Sequence, residues 1–131
     1  MEGCVVTDLK VHSRGNCYRF SPEQMQSLQS EIAVSIVLEP GTNIVRITEG
    51  SFGYGAGADQ QGEPLVLFWI YGGKVVNQKT NVEVSATWSS LNGYDDTLTL
   101  IVKEPVTLCA FFFDTHLEDN SGEILLSIAR I

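Results

Sequence analysis

Hydrophobic and polar residues alternate along most of this chain. In Val82-Glu83-Val84-Ser85-Ala86-Thr87-Trp88 every second residue is apolar, and residues 97–103 repeat the pattern with Leu98, Leu100 and Val102. A period of two sends successive side chains to opposite faces, so each segment predicts a half-buried strand. Residues 65–71 and 106–113 are apolar at nearly every position. Short runs of this kind, rich in β-branched and aromatic residues, predict central strands, with Trp69 and Trp88 in the core. Residues 32–38, 43–48 and 123–131 complete the set, and residues 5–11 and 17–20 carry a fainter version of the pattern.

Turn chemistry separates these segments. Pro40-Gly41, Gly72-Gly73, Asn92-Gly93, Glu104-Pro105 and Ser121-Gly122 fall between the apolar runs, at the spacing expected of short strands. Ser21-Pro22-Glu23-Gln24 has the order of an N-cap, a proline at the first helical position and a glutamine three residues after the cap. Residues 22–30 therefore form a short helix or, given their poor apolar periodicity, a capped loop. Many short strands with regular turns predict an all-β sandwich or barrel, and 131 residues fit one domain spanning 1–131.

Two connecting segments stand out chemically. Asp114-Thr115-His116-Leu117-Glu118-Asp119-Asn120-Ser121-Gly122 gathers carboxylate, amide and hydroxyl oxygens within one turn. Calcium takes about six to eight oxygens of these kinds, and a bound cation relieves the repulsion between crowded carboxylates. Asp, Asn, Ser and Gly also fill ordinary surface turns, because they form Asx-turns and tolerate left-handed backbone. Both readings stand on composition alone; the spacing is not that of an EF-hand. The second segment, residues 50–62, is glycine-rich and longer than a simple hairpin requires, as functional loops often are.

The run Asp114-x-x-Leu117-x-Asp119-Asn120-Ser121-Gly122, followed by a closing strand, resembles the signature of the bacterial galactophilic lectin family and its galactose-binding-like relatives. Upstream, Pro40-Gly41-x-x-Ile44-Val45-x-Ile47-x-x-Gly50 with Gly53-Tyr54-Gly55 is similar to that family's Pro-Gly strand and aromatic loop, and residues 65–72 resemble the strand that follows. The resemblance covers roughly the last ninety residues in the right order. It implies a galactose-binding-like β-sandwich of jelly-roll type and a calcium ion bridged between the two loops. Asp114, Asp119 and Asn120 would ligate through side chains and Tyr54 through its backbone carbonyl. Gln60 and Gln61 lie in the loop that would flank a sugar whose hydroxyls bind the ion; Thr115, which has no counterpart in the family pattern, and His116, which also reads as an ordinary exposed turn residue, are the ligand-binding candidates of the acidic turn. The sugar-contacting insertion is short here (residues 58–64), residues 74–91 are longer than their counterpart, and residues 1–31 match nothing in the family.

Composition narrows the function further. Eight basic residues against sixteen acidic ones, with no basic run, exclude a phosphate-neutralising nucleic-acid surface. The net charge of −8 suits cations, neutral ligands or solubility. No apolar run is long enough for a membrane-spanning helix. Met1-Glu2-Gly3 lacks a basic and apolar leader, which predicts a cytoplasmic chain. Three cysteines make a poor disulfide framework. Cys109 sits in an apolar run and reads as a core residue, while Cys4 and Cys17 either pair or stay reduced.

No catalytic constellation emerges. His12 and Cys17 lack a third group to orient them, and Asp95 and Asp96 would point to opposite faces of a strand. Tyr54 and Tyr94 lie in loops, where a ring can stack on a sugar's apolar face. The chain therefore reads as a non-enzymatic, calcium-dependent carbohydrate-binding module. The alternative is a structural or protein-interaction domain that ignores sugars. Its partners would be a carbohydrate or another polyhydroxylated ligand, and a homo-oligomer is compatible with either reading.

Overall fold

The computed structural model describes residues 4–50, 64–112 and 122–131. Seven strands follow one helical segment: β1 (Val34–Leu38), β2 (Gly41–Gly50), β3 (Leu65–Asn77), β4 (Val82–Asn92), β5 (Thr97–Glu104), β6 (Val106–Phe111) and β7 (Ile124–Arg130). All pairings are antiparallel, in the order β1-β6-β3-β5-β2-β7, with β4 on the other side of β3. The chain is thus all-β, built on a curled antiparallel sheet.

The curl has a local cause. Strand β3 pairs with β6 over Leu67–Tyr71 and with β5 over Lys74–Asn77, so β5 and β6 behave as one strand bent at Pro105. Proline cannot donate to a ladder, which makes this the natural point for the bend. Opposite it, the β3 register shifts between Tyr71 and Val75. The irregularity moves the buried face of β3 from Val66, Phe68 and Ile70 to Val75, as an extra residue in a bulge does. A Cβ on Gly73 would lie 2.1 Å from the Pro105 carbonyl oxygen and 2.5 Å from that of Glu104. The two backbones touch here because no side chain intervenes. Gly72 has φ +99° but open space around it.

The core lies inside the curl. Leu98, Leu100 and Val102 from β5 and Val45 from β2 join Val66, Phe68 and Ile70 from β3 and Val106 and Leu108 from β6 in one buried cluster. β3 and β5 give three of these each and β6 two, at every second position, as period-two alternation predicts. Asn43 is buried among them, and its Nδ2 donates to the carbonyls of Glu39 and Gly41. That pair of bonds satisfies the amide and holds the β1–β2 turn closed.

The helix is shorter than the expected 22–30. α1 spans Pro22–Ser27, then one π-helical turn covers Leu28–Ile32. The capping box is complete: Gln24 N–H donates to Ser21 Oγ, and Ser21 N–H donates to Gln24 Oε1 at 2.7 Å. Residues 5–11 and 17–20 are not strands; they form an irregular, exposed arm. Gly72-Gly73, expected as a turn, lies inside β3, which continues to Asn77.

The corner predicts an unequal pair of glycine substitutions. Gly73→Ala forces two backbones apart and should cost about 3 kcal/mol or more. Gly72→Ala meets only an unfavourable φ and should cost about 1–2 kcal/mol. Urea unfolding of the two variants measures the difference, and equal losses would show that the close approach is not what makes the corner.

Candidate functional site

The residues singled out by sequence fall in two connections. Tyr54, Gln60 and Gln61 lie within 51–63, and Asp114, Thr115, His116, Asp119 and Asn120 lie within 113–121; both stretches lie outside the described residues. The described strands define where each connection begins and ends.

Both connections span the same two strand ends. Gly50, which opens the first, is paired with Ile124, where the second delivers the chain to β7. Leu67, just after the first connection ends, is paired with Phe111, just before the second begins. A third, short connection ties these ends together. Asn92 pairs with Leu65 and Thr97 with Arg46, and only residues 93–96 lie between Asn92 and Thr97. Five Cα steps reach at most about 18 Å, so this turn holds the β3–β4 end close to β2 at Arg46, four residues before the first connection leaves at Gly50. Gly50 anchors the junction: it has φ +109°, and a Cβ there would lie 2.2 Å from the Glu123 carbonyl oxygen. Gly122 likewise has a positive φ, 89°.

The short connection is itself well built. Asn92 Oδ1 accepts from the Tyr94 and Asp95 N–H groups at 2.8 and 2.7 Å, an Asx-turn. Asp96 accepts from Ile47 N–H through its carbonyl and from Thr97 Oγ1 through its carboxylate. Asp95 accepts from Lys79 Nζ at 2.5 Å. Asp95 and Asp96 are therefore turn residues engaged with neighbours, not strand residues. The Tyr94 ring is 99% exposed on this fixed turn.

A second feature was not foreseen. Trp69 and Trp88 are paired across β3 and β4 on the outer face of the sheet, not in the core. Trp88 is 46% exposed. Their rings lie 4.5 Å apart; Trp69 also stacks with Tyr71, and Trp88 packs against Phe20 and Phe111. Trp69 Nε1 donates to Gln29 Oε1 at 2.9 Å. The helical segment and Phe20 thus cover part of this outer face, which explains why Cys109, the Trp69 partner in the ladder, is fully buried there. The alternation rule located both tryptophans on strands but could not say which face was inside. Residues 17–20 supply the missing signal, an aromatic pair with nothing of its own to cover it.

The remaining histidine and cysteine side chains of the arm have plain local settings. His12 Nδ1 accepts from the N–H groups of Arg14 and Gly15, both at 3.1 Å, so the ring caps its own turn. Cys4 and Cys17 are exposed free thiols. Among the described residues no group of three or more His, Cys, Asp or Glu side chains can hold a metal, and no helix is long and apolar enough to cross a membrane. The chain matches no protein-family model, no curated protein and no solved structure.

The indole pair gives a measurable signature. Trp88→Phe should abolish the exciton couplet of the coupled indoles in circular dichroism while keeping most of the ring packing, with a stability loss below about 1 kcal/mol. Trp88→Ala should lose the couplet and about 1–2 kcal/mol, because a half-exposed ring buries only part of its area. An unchanged couplet in either variant contradicts the pairing.

Proposed function

We propose that this protein is a calcium-dependent carbohydrate-binding module of galactose-binding-like, jelly-roll type. The observation that carries the reading is the shared rooting of residues 51–63 and 113–121 on two strand ends bridged by a four-residue turn. A site assembled from two segments far apart in sequence needs such a common frame, and it supports bringing Tyr54 to Asp114, Asp119 and Asn120. The donor set is hard oxygen throughout, which fits calcium and gives a softer metal no sulfur or imidazole beyond His116. A bound calcium would supply a Lewis-acidic point on which vicinal sugar hydroxyls replace water. Gln60, Gln61, Thr115 and His116 would offer hydrogen bonds to the remaining hydroxyls.

Tyr94 extends this reading. Its ring stands in solvent on the rigid turn that joins the same strand ends, where an aromatic face can stack on the apolar face of a pyranose. A non-catalytic interaction domain that ignores sugar remains the second reading, favoured by the partly exposed ring cluster around Trp88 on the outer face.

Calorimetry and thermal melting of chelator-stripped protein test the reading. Calcium at a hundredfold excess over its dissociation constant should stabilise the fold by about 2.7 kcal/mol. Asp119→Asn combined with Asp114→Asn should remove that response. A glycan array should bind only with calcium, and Tyr94→Ala should weaken sugar binding by about tenfold with an unchanged melting temperature. Calcium stabilisation without any glycan bound selects the second reading, and no calcium response at all rejects the metal.

A further inference from the structure

Among the described residues β1, β4 and β7 each have a neighbour on one side only, and β1 is the edge whose interior-facing apolar residues stay most exposed. Strand β1 pairs only with β6 among the described residues, in the register Val34↔Ala110, Ile36↔Leu108 and Leu38↔Val106. Leu108 and Val106 are buried and Ala110 packs on the core, so Val34, Ile36 and Leu38 project toward the interior side of the sheet. Yet Val34 is 79% and Ile36 48% exposed, with no strand beyond them among the described residues. An edge that is apolar, uncharged and unprotected by bulge or proline is a template for another strand.

The chain also contains a strand pattern that no described residue pairs. Val5, Thr7, Leu9 and Val11 alternate with Val6, Asp8, Lys10 and His12. This arm is irregular, and Val5, Leu9 and Val11 are 73–89% exposed. Its apolar face matches the uncovered margin of β1. In the antiparallel register with Leu9 opposite Ile36, Val11 falls opposite Val34 and Thr7 opposite Leu38. Asp8 and Lys10 then lie on the outer face beside Val37 and Ser35.

We propose that the arm pairs with β1 of a second copy of this chain, giving a two-fold arm-exchanged dimer. The position of the arm within its own copy argues for the second copy. Phe20, which follows the arm, stacks on Trp88 of β4. Strand β4 flanks β3 on the side away from β6 and β1, so β3 and β6 separate it from the open edge. Neighbouring strands are about 4.8 Å apart, which puts the β1 edge three to four strand spacings away. The intervening residues are not extended: Asn16 N–H donates to the His12 carbonyl, and His12 N–H to Asn16 Oδ1. Net charge does not favour association, since copies carrying −8 repel, but the contact itself is locally neutral: it joins an uncharged strand to an arm whose Asp8 and Lys10 balance. In a two-fold dimer each copy gives one arm and receives one, so both open edges close.

Sedimentation velocity over a range of concentrations tests the proposal. The full chain should form a dimer. Leu9→Asp, which spoils the arm, and Ile36→Lys, which spoils the edge, should each sediment as monomers with unchanged circular dichroism, since both side chains are exposed in a single copy. An equimolar mixture of the two variants should recover a heterodimer, because one intact arm can meet one intact edge. A peptide of residues 4–11 in excess should convert the wild-type dimer to monomer, a readout that does not depend on either variant folding. A monomer at every concentration overturns the proposal. So does a dimer indifferent to Leu9→Asp and to the peptide, which would mean that β1 edges pair with each other.

Discussion

The close contact between Gly73 and the carbonyls of Glu104 and Pro105 is the constraint on which the architecture rests. Two long strands, β3 and the bent β5–β6 pair, turn together at this point. Without it they would continue as a flat ribbon, and a flat ribbon has no inside. With it, Phe68 and Ile70 from one arm of the ribbon share a core with Leu98 and Leu100 from the other. Glycine and proline sit opposite each other for complementary reasons: one removes the side chain that would keep the backbones apart, the other removes a donor that the bend would leave unpaired.

The same bend sets the geometry of the opposite end. Because β3 and β5–β6 fold back from the corner, the far ends of both arms come within reach of a four-residue turn. Every long connection in the chain leaves from that end. The surface ion pairs, Lys74–Glu104, Lys79–Asp95 and Lys103–Glu83, are all solvent-exposed and add little to this arrangement. Backbone contact and apolar burial carry it. The outer face of β3 and β4 is a separate small cluster, in which the capped helix and Phe20 shelter Cys109 and part of the indole pair.

Much of this was legible in the residues, and the limits follow from what periodicity encodes. Alternation at 97–103 named the buried Leu98, Leu100 and Val102, since only one face of β5 meets the core. The Ser21–Gln24 spacing announced the capping box. Trp69 misled because β3 is apolar on both faces, and a continuous run does not say which side is inside; Trp88 misled because the alternation at 82–88 marks the outer face of β4, where Val82, Ala86 and Trp88 are exposed and Leu91 alone is fully buried. Residues 5–11 alternate like a strand but find no neighbour among the described strands, since pairing is a long-range property that a local pattern cannot report. How the two loops relate is likewise a matter of pairing: Gly50 meets Ile124 and Leu67 meets Phe111, partners far apart in sequence that no local pattern joins. The proposed ligands Tyr54, Asp114, Asp119 and Asn120 rest on the residues themselves and on that shared frame.

The pairing of β2 with β7 has a consequence for how the chain acquires this shape. Val45 meets Ile128, so one of the innermost strands cannot complete its ladder until a segment far along the chain has been made. Few of the sheet contacts are local apart from the β3–β4 hairpin and the continuous β5–β6 run. Folds of this kind reach their native state slowly, because loop closure must precede the contacts that reward it. During synthesis β2 would wait with one edge unfilled until β7 has been made.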